Sequence, residues 1–265
     1  MTPPIQKSLF ELFGLPDAPR TGRERLVAAA VELFYRNGFG AVGVDRVIAA
    51  AGVTKSTFYK HFEGKDDLMV AAVQRRDEWE SEAWGRAVRQ IAGDDPAAQL
   101  LAMIDVMDLW FNNPDFHGCM FTNTAAEFPN PHDPVHRAAA AYKQRSRDRF
   151  RDLARAGGAD AAGAETFADC FWALIEGALV LRQTQGRNDA ARVVRPAVEQ
   201  LIRTYLPGGL PTSTKIETAE VDLGSDAFRP GLPHVRGGRV APRGRNRTRP
   251  QKEPGRRTAK VARLS

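Results

Sequence analysis

At 265 residues and 43% apolar side chains, the chain is long enough for one large domain or two small ones and apolar enough for a packed core. No window approaches eighteen consecutive apolar residues, and no apolar run near the N-terminus leads into a cleavage site, so the reading excludes a membrane span and a secretory signal and predicts a cytoplasmic protein. Net charge is +6, but Arg229 to Ser265 holds twelve Lys and Arg against the single acid Glu253, so that span is +11 and leaves −5 for the rest.

Residues 1–19 are expected to be disordered apart from a short apolar patch, Leu9, Phe10, Leu12 and Phe13. A first helix then carries Leu26, Ala30, Leu33 and Phe34, an i, i+4, i+7, i+8 stripe, and stops at Asn37-Gly38. A second repeats that spacing with Val44, Val47, Ile48 and Ala51 and ends at Gly52. Thr54 is placed to cap a third, in which Phe58 and Phe62 face inward. Two helices joined by a tight glycine turn and buttressed by a preceding helix make a helix-turn-helix, the arrangement that seats one helix in a DNA major groove. Away from Phe58, this helix presents Lys55, Ser56, Thr57, Tyr59, Lys60 and His61, hydrogen-bonding groups without a carboxylate. Lys65 opens the next helix against the macrodipole, a position better suited to clamping a phosphate than to stabilising the helix.

The stretch GVTKSTFYKHFEGKDDL resembles the recognition segment of the TetR/AcrR family of bacterial transcriptional regulators, and LVAAAVELFYRNGF resembles its first helix. The likeness spans about 48 residues, from Arg20 to Leu68. It implies an all-helical homodimer that binds a pseudo-palindromic DNA operator. Lys55, Ser56 and Thr57 would then approach base edges, with Tyr59, His61 and Lys65 on phosphates. The start of the second helix, Val42-Gly43-Val44-Asp45, departs from the family's Thr-rich or basic pattern. Asp45 would repel a phosphate, which leaves Arg46 as the contact from that end.

Further along, a long helix is predicted from Lys65 to Ile91, stopped at Gly93-Asp94-Asp95-Pro96. Asp95 and Pro96 start another over 97–111, with Leu100, Leu101, Ile104, Met107, Trp110 and Phe111 on a broad apolar face. A short helix ends near Phe128. His132-Asp133-Pro134 repeats the Asp-Pro start for a helix over 134–156, whose arginines and alanines suggest a mostly exposed face. Residues 164–185 are apolar on more than one side, and 189–206 contain Pro196, where the helix should kink or restart. No strand alternation is present, so the fold class is all-α. The domain layout is a DNA-binding domain over 20–80, a helical effector-binding and dimerisation domain over 81–207, and a disordered Arg/Pro/Gly-rich tail over 208–265.

The middle of the chain supplies large, adaptable apolar side chains for a pocket: Trp84, Met103, Met107, Trp110, Phe111, Phe121 and Trp172. His117, Asn123, Thr124, Glu127 and Glu176 are its candidate polar anchors. FHGCMFTNTAAEF resembles a stretch common at the front of the family's ligand cavity, and a small, mostly apolar effector is the expectation. Dimerisation is assigned to the last two helices through Phe171, Ile175, Leu179, Val198, Leu201 and Ile202, forming a four-helix bundle across a two-fold axis. Cys119 and Cys170 are expected to be buried free thiols. His132 and His136 lack a third ligand with metal-site spacing, and no P-loop, dinucleotide turn or GxSxG occurs, so neither metal, cofactor nor enzymatic activity is expected. The alternative function is a non-specific nucleic-acid binder acting through the basic tail, distinguished by its salt dependence and by tail deletion.

Overall fold

The computed structural model describes position 14 and residues 18–211. The patch at 9–13, most of the segments expected to be disordered and the basic span from Arg229 lie outside the described residues. Among these there are nine helices and no strand, as the periodicities predict.

Local chemistry sets the boundaries. Helix α1 (Gly22–Asn37) opens with a reciprocal cap: the Thr21 hydroxyl accepts from the Glu24 amide at 3.2 Å, and the Glu24 carboxylate accepts from the Thr21 amide at 3.0 Å. It stops at Gly38, whose φ of 78° suits a residue without Cβ. Helix α2 (Val44–Ala51) ends at left-handed Gly52, and α3 (Lys55–His61) begins where Thr54 accepts from the Thr57 amide. Phe58 and Phe62 close the small core these helices share with Leu26, Phe34, Val47 and Leu68.

Helix α4 (Lys65–Ala92) begins beside this head and packs on α1, on α5 (Pro96–Phe111) and on α7 (Pro134–Ala156). At 28 residues it spans about 42 Å. Asp95, Asp133 and Asp160 each accept from an amide of the helix they cap. The short α6 (Met120–Glu127) packs on α7, while α8 (Ala161–Gln185) and α9 (Ala190–Tyr205) pack on each other and return to α7 and α5.

Three expectations are corrected, and one of two alternatives is removed. Helix α7 is not mostly exposed: Val135, Ala139, Tyr142, Ser146, Phe150 and Ala154 form a buried stripe at spacings of three and four. Its arginines flank that stripe on both sides: Arg145 pairs with Asp77 of α4, and Arg147 binds Glu165 and Asp169 of α8. Helix α8 starts three residues before the predicted 164 because Asp160 caps it. Of the two outcomes expected at Pro196, a restart does not occur: helix α9 is one element, and buried Val194, Val198 and Ile202, with the pairs Arg192–Asp108 and Arg195–Asp105, hold it to α5 on both sides of the missing amide donor. The packed chain also runs past residue 208, since Leu210 rests on the core.

Candidate DNA-reading face, cavity and subunit surface

Helix α3 can lie close against α1 because position 22 is glycine. A Cβ there would come 2.9 Å from the Thr57 methyl. Of the predicted reading residues, Arg46, Lys55, Ser56, Tyr59 and Lys60 are exposed, Tyr59 at 56% despite its ring. Thr57 and His61 are half-buried, and the Thr57 hydroxyl lies 2.9 Å from that of Thr54, so its part in the face is smaller than the sequence suggests. Asp45 pairs with Lys55 at 3.6 Å through two exposed side chains, a contact of little stabilising value that offsets the acid's charge. One further cation was not read from the sequence. Arg23 lies over the Phe62 ring at 5.3 Å, which places a guanidinium at the C-terminal end of the reading helix.

The turn between α1 and α2 is held from behind. The Glu127 carboxylate, at the last residue of α6, accepts from the amides of Phe39 (3.0 Å) and Gly40 (3.0 Å). A Cβ at Gly38 would stand 2.9 Å from the same carboxylate. Lys65 donates to the Phe39 carbonyl at 2.6 Å. Glu127 is therefore not a pocket anchor, and Lys65 is already engaged in fixing this turn. Arg36 adds a two-pronged bond to Asp115 at 3.0 and 3.2 Å.

Between α4, α5, α7 and α8 lies a cavity of about 500 Å³. Trp84, Met103, Met107, Trp110, Trp172 and Glu176 line it, as expected. Phe111, His117, Phe121, Asn123 and Glu127 do not. Phe111 is fully buried against Trp110 and Phe116, and Phe121 stacks on the far side of Tyr142 at 3.5 Å, backing the wall rather than facing the space. The His117 ring bonds the Asp115 carbonyl at 2.8 Å, and Asn123 joins the His117 carbonyl to Gln183. Thr124 is buried with its hydroxyl on the Met120 carbonyl.

Polar residues that the sequence did not mark complete the wall. Glu80 accepts from Arg76 at 2.6 Å and from the Tyr142 hydroxyl at 3.2 Å, all three buried. Burial, then the Glu80 charge, pushes the Tyr142 phenol well above its ordinary range, so it remains a donor. Lys143 donates to Glu176 at 2.6 Å and to Thr122 at 2.7 Å, and sits over the Trp172 ring. Burial alone would lower its pKa, but Cys119 and Glu176 more than offset that, and it stays above the usual lysine range as an ammonium. Cys119 is buried on this wall, whereas Cys170 is exposed, which corrects the expectation of two buried thiols.

The exposed side of α8 carries Cys170, Ala173, Gly177, Val180 and Thr184 at spacings of three and four, and α9 adds Val193, Pro196, Ala197, Gln200 and Thr204. Tyr59, Val180 and Val193 are the large apolar side chains left exposed among the described residues. Phe171, Leu179, Val198 and Ile202, predicted at a subunit interface, are instead buried in the chain's own core, and Ile175 lines the cavity. The reason is geometric: α8 is apolar around most of its circumference, and its bulky residues fill the core while its small ones face outward. Leu201 is half-buried.

Residues 26–72 match a family model described as bacterial regulatory proteins, tetR family, and residues 96–198 match one described as tetracyclin repressor-like, C-terminal domain. Among solved structures, the chain is 31% identical to SCO4454, a TetR-family transcriptional regulator from Streptomyces coelicolor, with a TM-score of 0.62 over 69% of this chain and 95% of that one. A putative TetR transcriptional regulator from Streptomyces avermitilis is 28% identical, with a TM-score of 0.59 over 70% and 98%. The HTH-type transcriptional regulator LmrA of Bacillus subtilis is 25% identical over 68% of this chain and 96% of its own.

Proposed function

The chain belongs to the TetR family of bacterial regulatory proteins, and from that premise we propose that it is a homodimeric repressor which releases a pseudo-palindromic operator when a small, mostly apolar effector fills the cavity. As a member it is a DNA-binding transcriptional regulator, not an enzyme. The observation that carries the finer reading is the course of α4, whose first residues hold the reading head and whose later ones, Glu80 to Arg89, line the cavity. An occupant that fits one arrangement of α4 better than another changes the setting of the two reading helices, and can do so only by that difference in affinity.

Base discrimination is assigned to Lys55 and Ser56, phosphate contact to Arg23, Arg46, Tyr59 and Lys60, with Thr57, His61 and Lys65 holding the helix in place. Selection from genomic fragments should return one palindromic motif. Lys55→Ala or Ser56→Ala should shift base preference by about 1–3 kcal/mol at single positions, while Lys60→Ala should weaken all duplexes alike and reduce the salt slope by about one. A selection without an enriched motif would count against sequence-specific reading.

The small-residue face of α8 and α9 is proposed as the interface of an isologous dimer. Ala173→Asp combined with Val180→Asp buries two carboxylates opposite their copies and should give a folded monomer by sedimentation, with operator affinity reduced by at least an order of magnitude. A dimer that survives both changes would place the interface elsewhere.

A further inference from the structure

We propose that the effector is an amphipathic acid: its apolar body fills the cavity, and its anionic head docks at the mouth on Arg89 of α4 and Arg149 of α7. This rests on the effector reading above and adds the sign of the molecule's charge and the place where that charge sits.

The charges on the cavity wall are unequally matched. Four acids and three bases line it. Every acid has a basic partner: Glu80 pairs with Arg76 at 2.6 Å, Glu82 with Arg86 at 2.7 Å, Asp152 with Arg151 at 2.9 Å and Glu176 with Lys143 at 2.6 Å. Lys143 is thereby neutralised. Arg89 and Arg149 also line the cavity, and neither pairs with a carboxylate among the described residues. A guanidinium stays protonated at any physiological pH, so two positive charges remain unanswered.

Those two charges converge on one turn of α4. Arg149 reaches across from α7 and donates to the Ser81 carbonyl at 3.4 Å. Arg89 folds back toward Gly85, where a Cβ would stand 3.5 and 3.7 Å from its two terminal nitrogens. Ser81 and Gly85 both line the cavity, and as residues i and i+4 they share a face of the helix about 6 Å apart. Gly85 lies well inside a 28-residue helix, where glycine is a weaker choice than alanine. Having no side chain, it leaves the Arg89 guanidinium open to the space beside it. Both arginines are exposed, whereas Met107 and Trp110 on the same wall are buried. The cavity thus runs from a cationic mouth to an apolar interior.

That gradient fixes where a ligand's charge can go. The interior polar groups are already satisfied in the pairs Arg76–Glu80 and Lys143–Glu176, so a further charge there loses its hydration without gaining a partner. At the mouth it keeps part of its water, and two guanidinium forks match the paired oxygens of a carboxylate. Attraction between exposed charges is modest and screened by salt. The body therefore supplies most of the affinity and the head supplies the selection. A head held by both arginines also ties α4 to α7, a link that an uncharged occupant cannot make.

The test uses the full chain and three probes with one body, 1-pyrenebutyrate, 1-pyrenebutanol and 1-pyrenebutylamine, read by energy transfer from the cavity tryptophans to pyrene. At low salt the acid should bind about tenfold more tightly than the alcohol, with the amine no better than the alcohol. Added salt should remove most of that margin. Arg89→Gln with Arg149→Gln should bring the acid to within about twofold of the alcohol, and Arg89→Glu with Arg149→Glu should make the amine the preferred probe. The basic tail is the same in every variant, so attraction of the acid to it does not produce these differences. Equal binding of acid and alcohol, an acid preference that survives the double glutamine change, or no binding of the acid overturns the proposal. Three probes that bind alike and all release operator leave the effector reading standing and remove only the charge assignment. An acid preference that depends on the two arginines, with operator affinity unchanged, keeps the anion-binding mouth and removes the effector reading.

Discussion

Replacing Phe58 with alanine is expected to destabilise the protein by about 3–5 kcal/mol and to abolish operator binding. The ring is fully buried, edge-on to Tyr59 and 5.7 Å from Phe62. Helix α3 has seven residues, too few to persist in water without tertiary contacts. Loss of the ring therefore removes both the core of the head and the support that makes α3 a helix. Phe58→Leu, which keeps most of the volume, should cost about 1 kcal/mol and retain measurable binding. Chemical denaturation with a parallel binding titration reads both effects; a Phe58→Ala protein within 1 kcal/mol of the parent would mean that the head is held by something other than this packing.

The second large effect is expected at Glu80. Arg76 and Glu80 are both buried within α4, 2.6 Å apart, and Arg76 lies over the rings of Tyr35 and Trp79. Glu80→Ala takes away the carboxylate that neutralises a buried guanidinium and accepts from Tyr142, and should cost about 3–5 kcal/mol. The double replacement Arg76→Met with Glu80→Leu removes charge and counter-charge together and should recover most of that loss. If the double variant is no more stable than Glu80→Ala, the cost lies in the lost Tyr142 bond or in packing rather than in the stranded charge. Because Glu80 also lines the cavity, the recovered double variant offers a stable protein whose cavity has lost its deepest acid.

The head was legible because its signals are local. Asn37-Gly38, Gly52 and Thr54 mark helix ends by backbone conformation and capping alone, and Leu26, Ala30, Phe34, Phe58 and Phe62 follow the helical period. The cavity was legible only in its tryptophans and methionines. Glu80, Tyr142, Lys143 and Ser146 sit in mid-helix among charged neighbours and resemble a solvated face until α4 and α7 are packed together. A signal existed in the stripe Tyr142, Ser146, Phe150, outweighed by the surrounding arginines. The subunit face was misplaced for the opposite reason: with apolar residues around most of α8, periodicity cannot say which side meets the chain's own core. Glu127 offered a clue of another kind. A carboxylate at a helix C-terminus is opposed by the dipole, so it needs donors from elsewhere, and the amides of Phe39 and Gly40 provide them.

The grip of Glu127 on the turn also bears on how such a protein can diverge. Its partners are main-chain amides, so the side chain at position 40 can drift without loosening it, whereas Phe39 is held by its own burial, stacked on Phe34 and edge-on to Phe128. Position 38 cannot, because a Cβ there meets the carboxylate in a conformation that already favours glycine. The seam between head and body thus rests on a short set of residues: a glycine on one side and a carboxylate on the other, the Phe39 ring against Phe128, and Arg36 opposite Asp115. A lineage that keeps those can exchange one DNA specificity for another above an unchanged cavity, or reshape the cavity beneath an unchanged reader.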